Sequence, residues 1–127
     1  MMILIDSSIW VSILKEDDSQ HEKGVRIIES IDEKNITIFD YTYSETLTVL
    51  KQKSSLKTCF AFLKLLEKMN LDVTVSDVPQ IELANRLFFT VNNKLSFVDC
   101  LLLATAKINN ARLITFDKEL EKLYNPA

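Results

Sequence analysis

The chain has 127 residues, of which 47% are hydrophobic and 26% are charged, and it contains one glycine and two prolines. These values fit one globular domain, and the scarcity of turn residues argues against disorder and against a loop-rich all-β fold. The formal net charge of −3 argues against broad electrostatic binding of nucleic acid, so any basic contact surface must be a local patch. No apolar run reaches the roughly 20 residues of a membrane span, and the apolar N-terminus lacks a basic leader, so we expect a cytoplasmic protein without a signal peptide.

Short apolar runs, which predict strands, alternate with stretches of helical periodicity along the whole chain. In chain order the pattern predicts a strand over 2–5, helices over 9–14 and 21–34, a strand over 36–39, helices over 42–53 and 55–69, a strand over 71–75, a helix over 76–91 capped by Ser76, a break at 92–94, a helix over 96–109, a strand over 112–115 and a last helix over 118–123. Because strands that alternate with helices pair in parallel, we expect a single three-layer α/β domain spanning residues 1–127.

Four acids stand at the boundaries of these elements. Asp6 and Asp117 each follow a predicted strand directly, while Glu45 and Asp99 each lie near the start of a predicted helix. Ligands of open α/β sheets bind outside the carboxyl ends of the strands, so the four carboxylates can converge there. Carboxylates packed that closely repel one another unless a cation lies among them, and hard oxygen ligands select Mg²⁺ or Mn²⁺. The pattern therefore indicates a metal site.

Each acid also has an ordinary structural explanation. The spacings Thr42-x-x-Glu45 and Ser96-x-x-Asp99 resemble capping boxes, in which the third helical residue bonds back to the cap. Asp6 and Asp117 can be N-caps that interact favourably with a helix dipole. Taken singly, each explanation is at least as good as the metal site, and only the set of four favours the site.

The remaining notable residues have simpler interpretations. Cys59 and Cys100 lie in apolar helical patterns without a paired motif, which favours small core residues over a disulfide or a zinc site. His21 lies at a polar helix start and is expected to be solvated. The helix over 55–69 has an apolar surface wider than one stripe, which indicates either deep burial or a partner surface. Three lysines are candidates for phosphate contacts, although solvated helix ends explain them equally well: Lys15, Lys51 and Lys53.

The segments ILIDSS with Trp10, Ser-Glu45, LSFVD ending at Asp99 and LITFD ending at Asp117 resemble the PIN-domain family, and most of all its VapC-type toxin ribonucleases. The resemblance implies a three-layer α/β/α fold with a short parallel sheet of about four to five strands, whose last edge strand we expect to be short or absent. It implies that Asp6, Glu45, Asp99 and Asp117 bind one or two Mg²⁺ ions (Mn²⁺ as an alternative), and that Ser8 and Thr115 orient these acids. It also implies an endoribonuclease that is restrained by a cognate antitoxin and forms a homodimer.

In the implied mechanism Asp6 and Asp99 are the inner metal ligands, while Glu45 and Asp117 complete the shell or position water. The substrate would be single-stranded or looped RNA, whose exposed backbone fits an open rim. Two alternatives remain. One is a non-catalytic PIN-like module that binds RNA or protein. The other is an acidic α/β phosphotransferase, a class that typically uses an Asp nucleophile in a motif not found in this sequence.

Overall fold

The computed structural model describes residues 1–90 and 94–124. The predicted end of a helix at Val91 and the first two residues of the predicted break over 92–94 therefore lie outside the described residues. The strands are β1 (Ile3–Ile5), β2 (Ile38–Phe39), β3 (Val73–Thr74) and β4 (Arg112–Ile114). The helices are α1 (Ser7–Leu14), α2 (His21–Glu29), α3 (Asp40–Lys53), α4 (Leu56–Lys68), α5 (Val78–Thr90), α6 (Phe97–Asn109) and α7 (Lys118–Tyr124), with a 3₁₀ helix over Glu33–Asn35. Within residues 1–90 and 94–124 no helix is long and apolar enough to cross a membrane.

The four strands form a short, entirely parallel arrangement. Strand β1 pairs with β4, residues 3–5 against 112–114, and β2 pairs with β3. An isolated parallel bridge between Ile3 and Ile36 joins the two pairs, and the N–H of Thr37 donates to the carbonyl of Ile3 at 3.0 Å. The strand order is therefore β4-β1-β2-β3. Because all strands run in the same direction, their carboxyl ends share one edge of the sheet, as the predicted site requires.

Side chains alternate between two cores on the two faces of the sheet, as expected for strands buried on both sides. Leu4 of β1 packs into a core built mainly by α5, α6 and α7. Ile3 and Ile5 of the same strand pack into a second core with α1, α3 and α4, which centres on Trp10 and Phe62. The three-layer α/β/α prediction is therefore confirmed.

Helix α3 begins two residues earlier than predicted, at Asp40. Thr42 consequently lies inside the helix, where its carbonyl accepts a hydrogen bond from the Thr46 hydroxyl at 2.7 Å. The predicted capping box between Thr42 and Glu45 is therefore wrong, and the Glu45 side chain is free to make other contacts.

Ser76 does not cap α5, because the helix begins at Val78 and Ser76 lies one residue before the cap position. Its N–H and its hydroxyl donate to the carboxylate of Asp40 at 3.2 and 3.3 Å. Asp77 is the cap instead: its carboxylate accepts from the N–H of Gln80 at 3.2 Å, and the Gln80 side-chain oxygen accepts from the N–H of Asp77 at 2.8 Å. The Ser76 contacts tie the end of β3 to the start of α3.

The predicted helix over 21–34 is interrupted after Glu29. The Ser30 hydroxyl bonds back to the carbonyl of Ile27, and the Asp32 carboxylate accepts from the N–H of Lys34 at 3.0 Å. Serine and aspartate compete in this way for backbone groups and end helices. The chain therefore leaves α2 and forms the 3₁₀ helix.

The prediction of a solvated His21 is also wrong. The ring is half-buried at the start of α2, and its Nδ1 lies 2.7 Å from the carbonyl of Ser12. A carbonyl only accepts, so Nδ1 carries the proton. The cysteine prediction is confirmed, since Cys59 and Cys100 are free thiols, half-buried and buried.

The broad apolar surface of the fourth helix divides into two parts. Phe62 and Leu66 are buried in the core. Leu56, Phe60 and Leu63 are exposed, with Phe60 64% exposed, and their i, i+4, i+7 spacing places them on one line along α4. We call these three residues the α4 stripe. A second exposed apolar set lies on α5, and we call it the α5 set: Val78, Ile81, Phe88 and Phe89.

Candidate metal centre

Asp6 is the most deeply buried of the four predicted acids, with 5% of its surface exposed. It follows β1 directly and caps α1, because its Oδ1 accepts a hydrogen bond from the N–H of Ser7 at 2.8 Å. Its Oδ2 accepts from the hydroxyls of Ser8 at 2.9 Å and Thr115 at 2.7 Å. A buried carboxylate needs such donors to remain ionised. The structure thus places both predicted supporting hydroxyls on the Asp6 carboxylate.

The same two hydroxyls hold the loop that carries Asp117. The Ser8 hydroxyl accepts from the N–H of Phe116 at 3.2 Å, and the Thr115 hydroxyl accepts from the N–H of Asp117 at 2.9 Å. The Oδ1 of Asp117 accepts from the first amides of α7, so Asp117 is also an N-cap. Because each hydroxyl both donates and accepts, Asp6 and the Asp117 loop form one hydrogen-bonded unit.

Glu45 reaches this unit from the first turns of α3. The hydroxyl of Ser7 donates a hydrogen bond to its Oε1. Sequence analysis missed this role of Ser7, although the residue directly follows Asp6. The contact joins α1 to α3 at the rim of the sheet and fixes one oxygen of the carboxylate.

Asp99 lies in the capping box predicted at the start of α6. Its Oδ2 accepts from the N–H of Ser96, and the Ser96 hydroxyl accepts from the N–H of Asp99, both at 3.1 Å. The structural explanation is therefore correct for Asp99. It is compatible with a second role, because the Oδ1 atom accepts no hydrogen bond within the described residues.

The acids affect one another electrostatically. Burial raises the pKa of Glu45, the charges of Asp6 and Asp99 raise it further, and the hydrogen bond from Ser7 partly opposes them. Burial likewise raises the pKa of Asp99, with added contributions from the charges of Asp6 and Asp117 and opposition from the hydrogen bonds of Ser96. The four acids are thus close enough to repel one another, as the metal hypothesis expects.

The donor set fits a hard divalent cation in its chemistry. The ion pair that the structure shows among the described residues joins Lys15 to Asp17, and no lysine or arginine there pairs with Asp6, Glu45, Asp99 or Asp117. Across residues 1–90 and 94–124, however, no three His, Cys, Asp or Glu side chains are arranged to hold one ion. An ion bound here would be held by Asp6 and by the carboxylate oxygens of Glu45, Asp99 and Asp117 that accept no hydrogen bond within the described residues.

The predicted phosphate-binding lysines do not gather at this site. Lys15 is paired with Asp17 at 2.9 Å. Lys51 and Lys53 lie six and eight residues beyond Glu45 on α3, which corresponds to about 9 and 12 Å along the helix. The structure instead places Lys23 of α2 over the ring of Phe116. No local signal in the sequence identifies this contact.

A cavity of about 870 Å³ lies between β4, the end of α6 and α7. It shares Thr115 with the acidic site but contains none of the four acids. We assign the chemistry to the acids rather than to the cavity, because none of the four carboxylates lines it.

The raised pKa values of Glu45 and Asp99 predict how stability depends on pH without metal. Between the ordinary pKa and the raised folded pKa, the native state binds more protons than the unfolded state, so stability falls as pH rises through this window. Asp99→Asn removes one repelling charge and keeps an oxygen for the Ser96 cap. At pH 7 in EDTA we therefore expect Asp99→Asn to have a higher melting temperature than the wild type. Each kcal/mol gained in the free energy of unfolding should raise it by about 3–5 °C, and the melting temperature should depend less on pH.

The measurement is thermal unfolding followed by circular dichroism from pH 4 to pH 8. Asp72→Asn is the matched control, since Asp72 is exposed next to β3 at the amino-terminal side of the sheet. A lower melting temperature for Asp99→Asn at pH 7, with an unchanged pH profile, would contradict the repulsion.

Comparison with known proteins identifies the family of the chain. The family model described as "PIN domain" matches residues 3–126. The toxin VapC20 of Mycobacterium tuberculosis, described as cleaving the sarcin-ricin loop, is similar in structure with a TM-score of 0.86, 18% identity, and coverage of 95% of this chain and 94% of that chain. FitAcB of Neisseria gonorrhoeae has a TM-score of 0.72 with 18% identity, covering 94% and 90% of the two chains.

A third similar structure is VapBC2 of Rickettsia felis bound to a DNA fragment from their promoter, with a TM-score of 0.70, 16% identity, and coverage of 96% and 92%. A search of curated protein sequences finds no significant match. Identities this low show a shared fold, while the family model covers nearly the whole chain. The chain therefore belongs to the PIN domain family.

Proposed function

We propose that this protein is a Mg²⁺-dependent endoribonuclease of the VapC toxin type, with Mn²⁺ as an alternative metal. The observation that carries the proposal is the Asp6 carboxylate, which Ser8 and Thr115 orient, at the carboxyl ends of β1 and β4 among three further acids without a basic partner in the described residues. The PIN domain match and the similarity to a toxin that cleaves the sarcin-ricin loop support this choice.

The residues of the chain would divide the work by their contacts. Asp6 and Asp99 would be the inner ligands, since Asp6 is fixed by three donors and Asp99 keeps one oxygen free of hydrogen bonds from the described residues. Glu45 and Asp117 would complete the shell or position water. A bound cation of this class lowers the pKa of water and stabilises charge on the phosphodiester oxygens.

The substrate we propose is single-stranded or looped RNA. The acids lie at the rim of the sheet, where an exposed backbone can approach. The net charge of −3 means that affinity for this backbone must come from a few local cations and the bound metal.

A specific observation favours a second candidate, a non-catalytic PIN-like module that binds RNA or protein. No three acids of the described residues are arranged to hold one ion. This candidate keeps the fold but leaves RNA intact when Mn²⁺ is present, so the cleavage experiment separates the two.

The first test is cleavage of total cellular RNA by the purified protein in Mg²⁺ or Mn²⁺. We expect discrete fragments that disappear in EDTA, and Asp6→Asn or Asp99→Asn should lower the rate by at least about 100-fold because each removes a carboxylate from the reacting centre. Asp72→Asn should cleave like the wild type. Full cleavage by a folded Asp99→Asn variant would contradict the site assignment, and intact RNA under every condition would favour the binding module.

We also propose two protein partners, a second copy of the chain and a cognate antitoxin. The α4 stripe and the α5 set are two exposed apolar surfaces, and such patches mark protein-binding surfaces. One would serve the homodimer and the other the antitoxin. Phe62 is unsuitable for testing this, because it is fully buried and its substitution would disrupt the core.

Light scattering of the purified protein tests the dimer. We expect the wild type to be a dimer. One of the two variants Phe60→Glu and Phe89→Glu, the one whose substitution lies in the dimer interface, should be a monomer, since a buried charge in an apolar interface is unfavourable. Lys57→Glu, an exposed charge change at the start of α4, is the control that should remain dimeric. A monomeric wild type, or dimers for both phenylalanine variants, would contradict the proposal.

A further inference from the structure

Lys23 contacts the loop that carries Asp117, although it belongs to α2. Its ammonium lies 5.5 Å from the centre of the Phe116 ring. The N–H of Phe116 donates to the hydroxyl of Ser8, which in turn donates to the carboxylate of Asp6. Lys23 is therefore attached to the same hydrogen-bonded unit as the acids.

The Lys23 ammonium is available to a ligand. The side chain is exposed, and the ion pair seen in the described residues uses Lys15 instead. A ring face attracts a cation and limits where it can lie, but it does not neutralise the charge. Lys118 also lies near Asp117 and is exposed, but no contact within the described residues fixes its ammonium. Lys23 is thus a positioned and uncompensated cation beside an acidic site.

A cation at the rim favours the approach of an RNA strand to the acids. Four carboxylates and a net charge of −3 repel phosphates, so a positive charge at the rim decides where the backbone can lie. We propose that Lys23 binds a backbone phosphate of the RNA next to the cleaved bond, and that the Phe116 ring holds the ammonium in place for this contact. The inference rests on the proposed ribonuclease function and identifies part of its substrate-binding surface.

Equilibrium binding of a fluorescein-labelled single-stranded RNA oligonucleotide tests this contact without cleavage. Measured by fluorescence anisotropy in EDTA, Lys23→Gln should weaken binding about fivefold at 0.1 M salt, because one phosphate contact to a single strand contributes about 0.7 to the slope of log K against log salt. The magnitude of this slope should decrease by about 0.7 in Lys23→Gln. Lys23→Arg should restore both values, and Phe116→Leu should lose part of the affinity.

Lys34→Gln is the matched control, because Lys34 is exposed just before β2, at the amino-terminal side of the sheet and away from the acids. It should leave both the affinity and the salt slope unchanged. A Lys23→Gln variant with wild-type affinity and slope, or a Lys34→Gln variant with an equal loss, would overturn the inference.

Cleavage of the same oligonucleotide in Mn²⁺ separates this inference from the proposed function. Lys23→Gln should raise KM and leave kcat unchanged. If the wild type does not cleave RNA, the proposed ribonuclease function fails, and the binding comparison still decides the role of Lys23. If the wild type cleaves and Lys23→Gln has an unchanged KM, only the inference about Lys23 fails.

Discussion

The buried carboxylate of Asp6 is the group on which the site depends. Burying it is unfavourable unless donors surround it, and the chain supplies them from two distant places, Ser8 in α1 and Thr115 after β4. The two hydroxyls in turn accept the amides of Phe116 and Asp117. The position of the Asp117 loop is therefore fixed by the need to satisfy Asp6.

The parallel sheet brings the other acids to the same place. Asp6 and Asp117 follow adjacent strands, β1 and β4, whose carboxyl ends meet at one edge. Glu45 and Asp99 come from helices that begin beside this edge, and each is held through one oxygen by a serine. The arrangement concentrates like charges and raises the pKa of Glu45 and Asp99, and a cation is the ligand that best relieves this repulsion.

Much of this architecture was predictable because it rests on local patterns. The strands that end at Asp6 and Asp117 and the apolar helix after Ser96 are evident from short runs of sequence, and the Ser96 capping box formed as predicted. The cap at Asp77 instead of Ser76 was not predictable, since Ser76 is held by Asp40, which lies 36 residues away in the sequence. The contacts of His21 with Ser12 and of Lys23 with Phe116 depend on how α2 packs, which no local pattern specifies.

Binding of a divalent cation by the acidic cluster underlies the proposed function, and Mn²⁺ titration by isothermal calorimetry at pH 7 tests this binding most directly. We expect saturable binding by the wild type that is lost in Asp6→Asn and Asp99→Asn and retained in Asp72→Asn. Because carboxylates that hold protons must release them to bind a metal, the affinity should fall as the pH is lowered. No binding by the wild type, or equal binding by all four proteins, would contradict the claim.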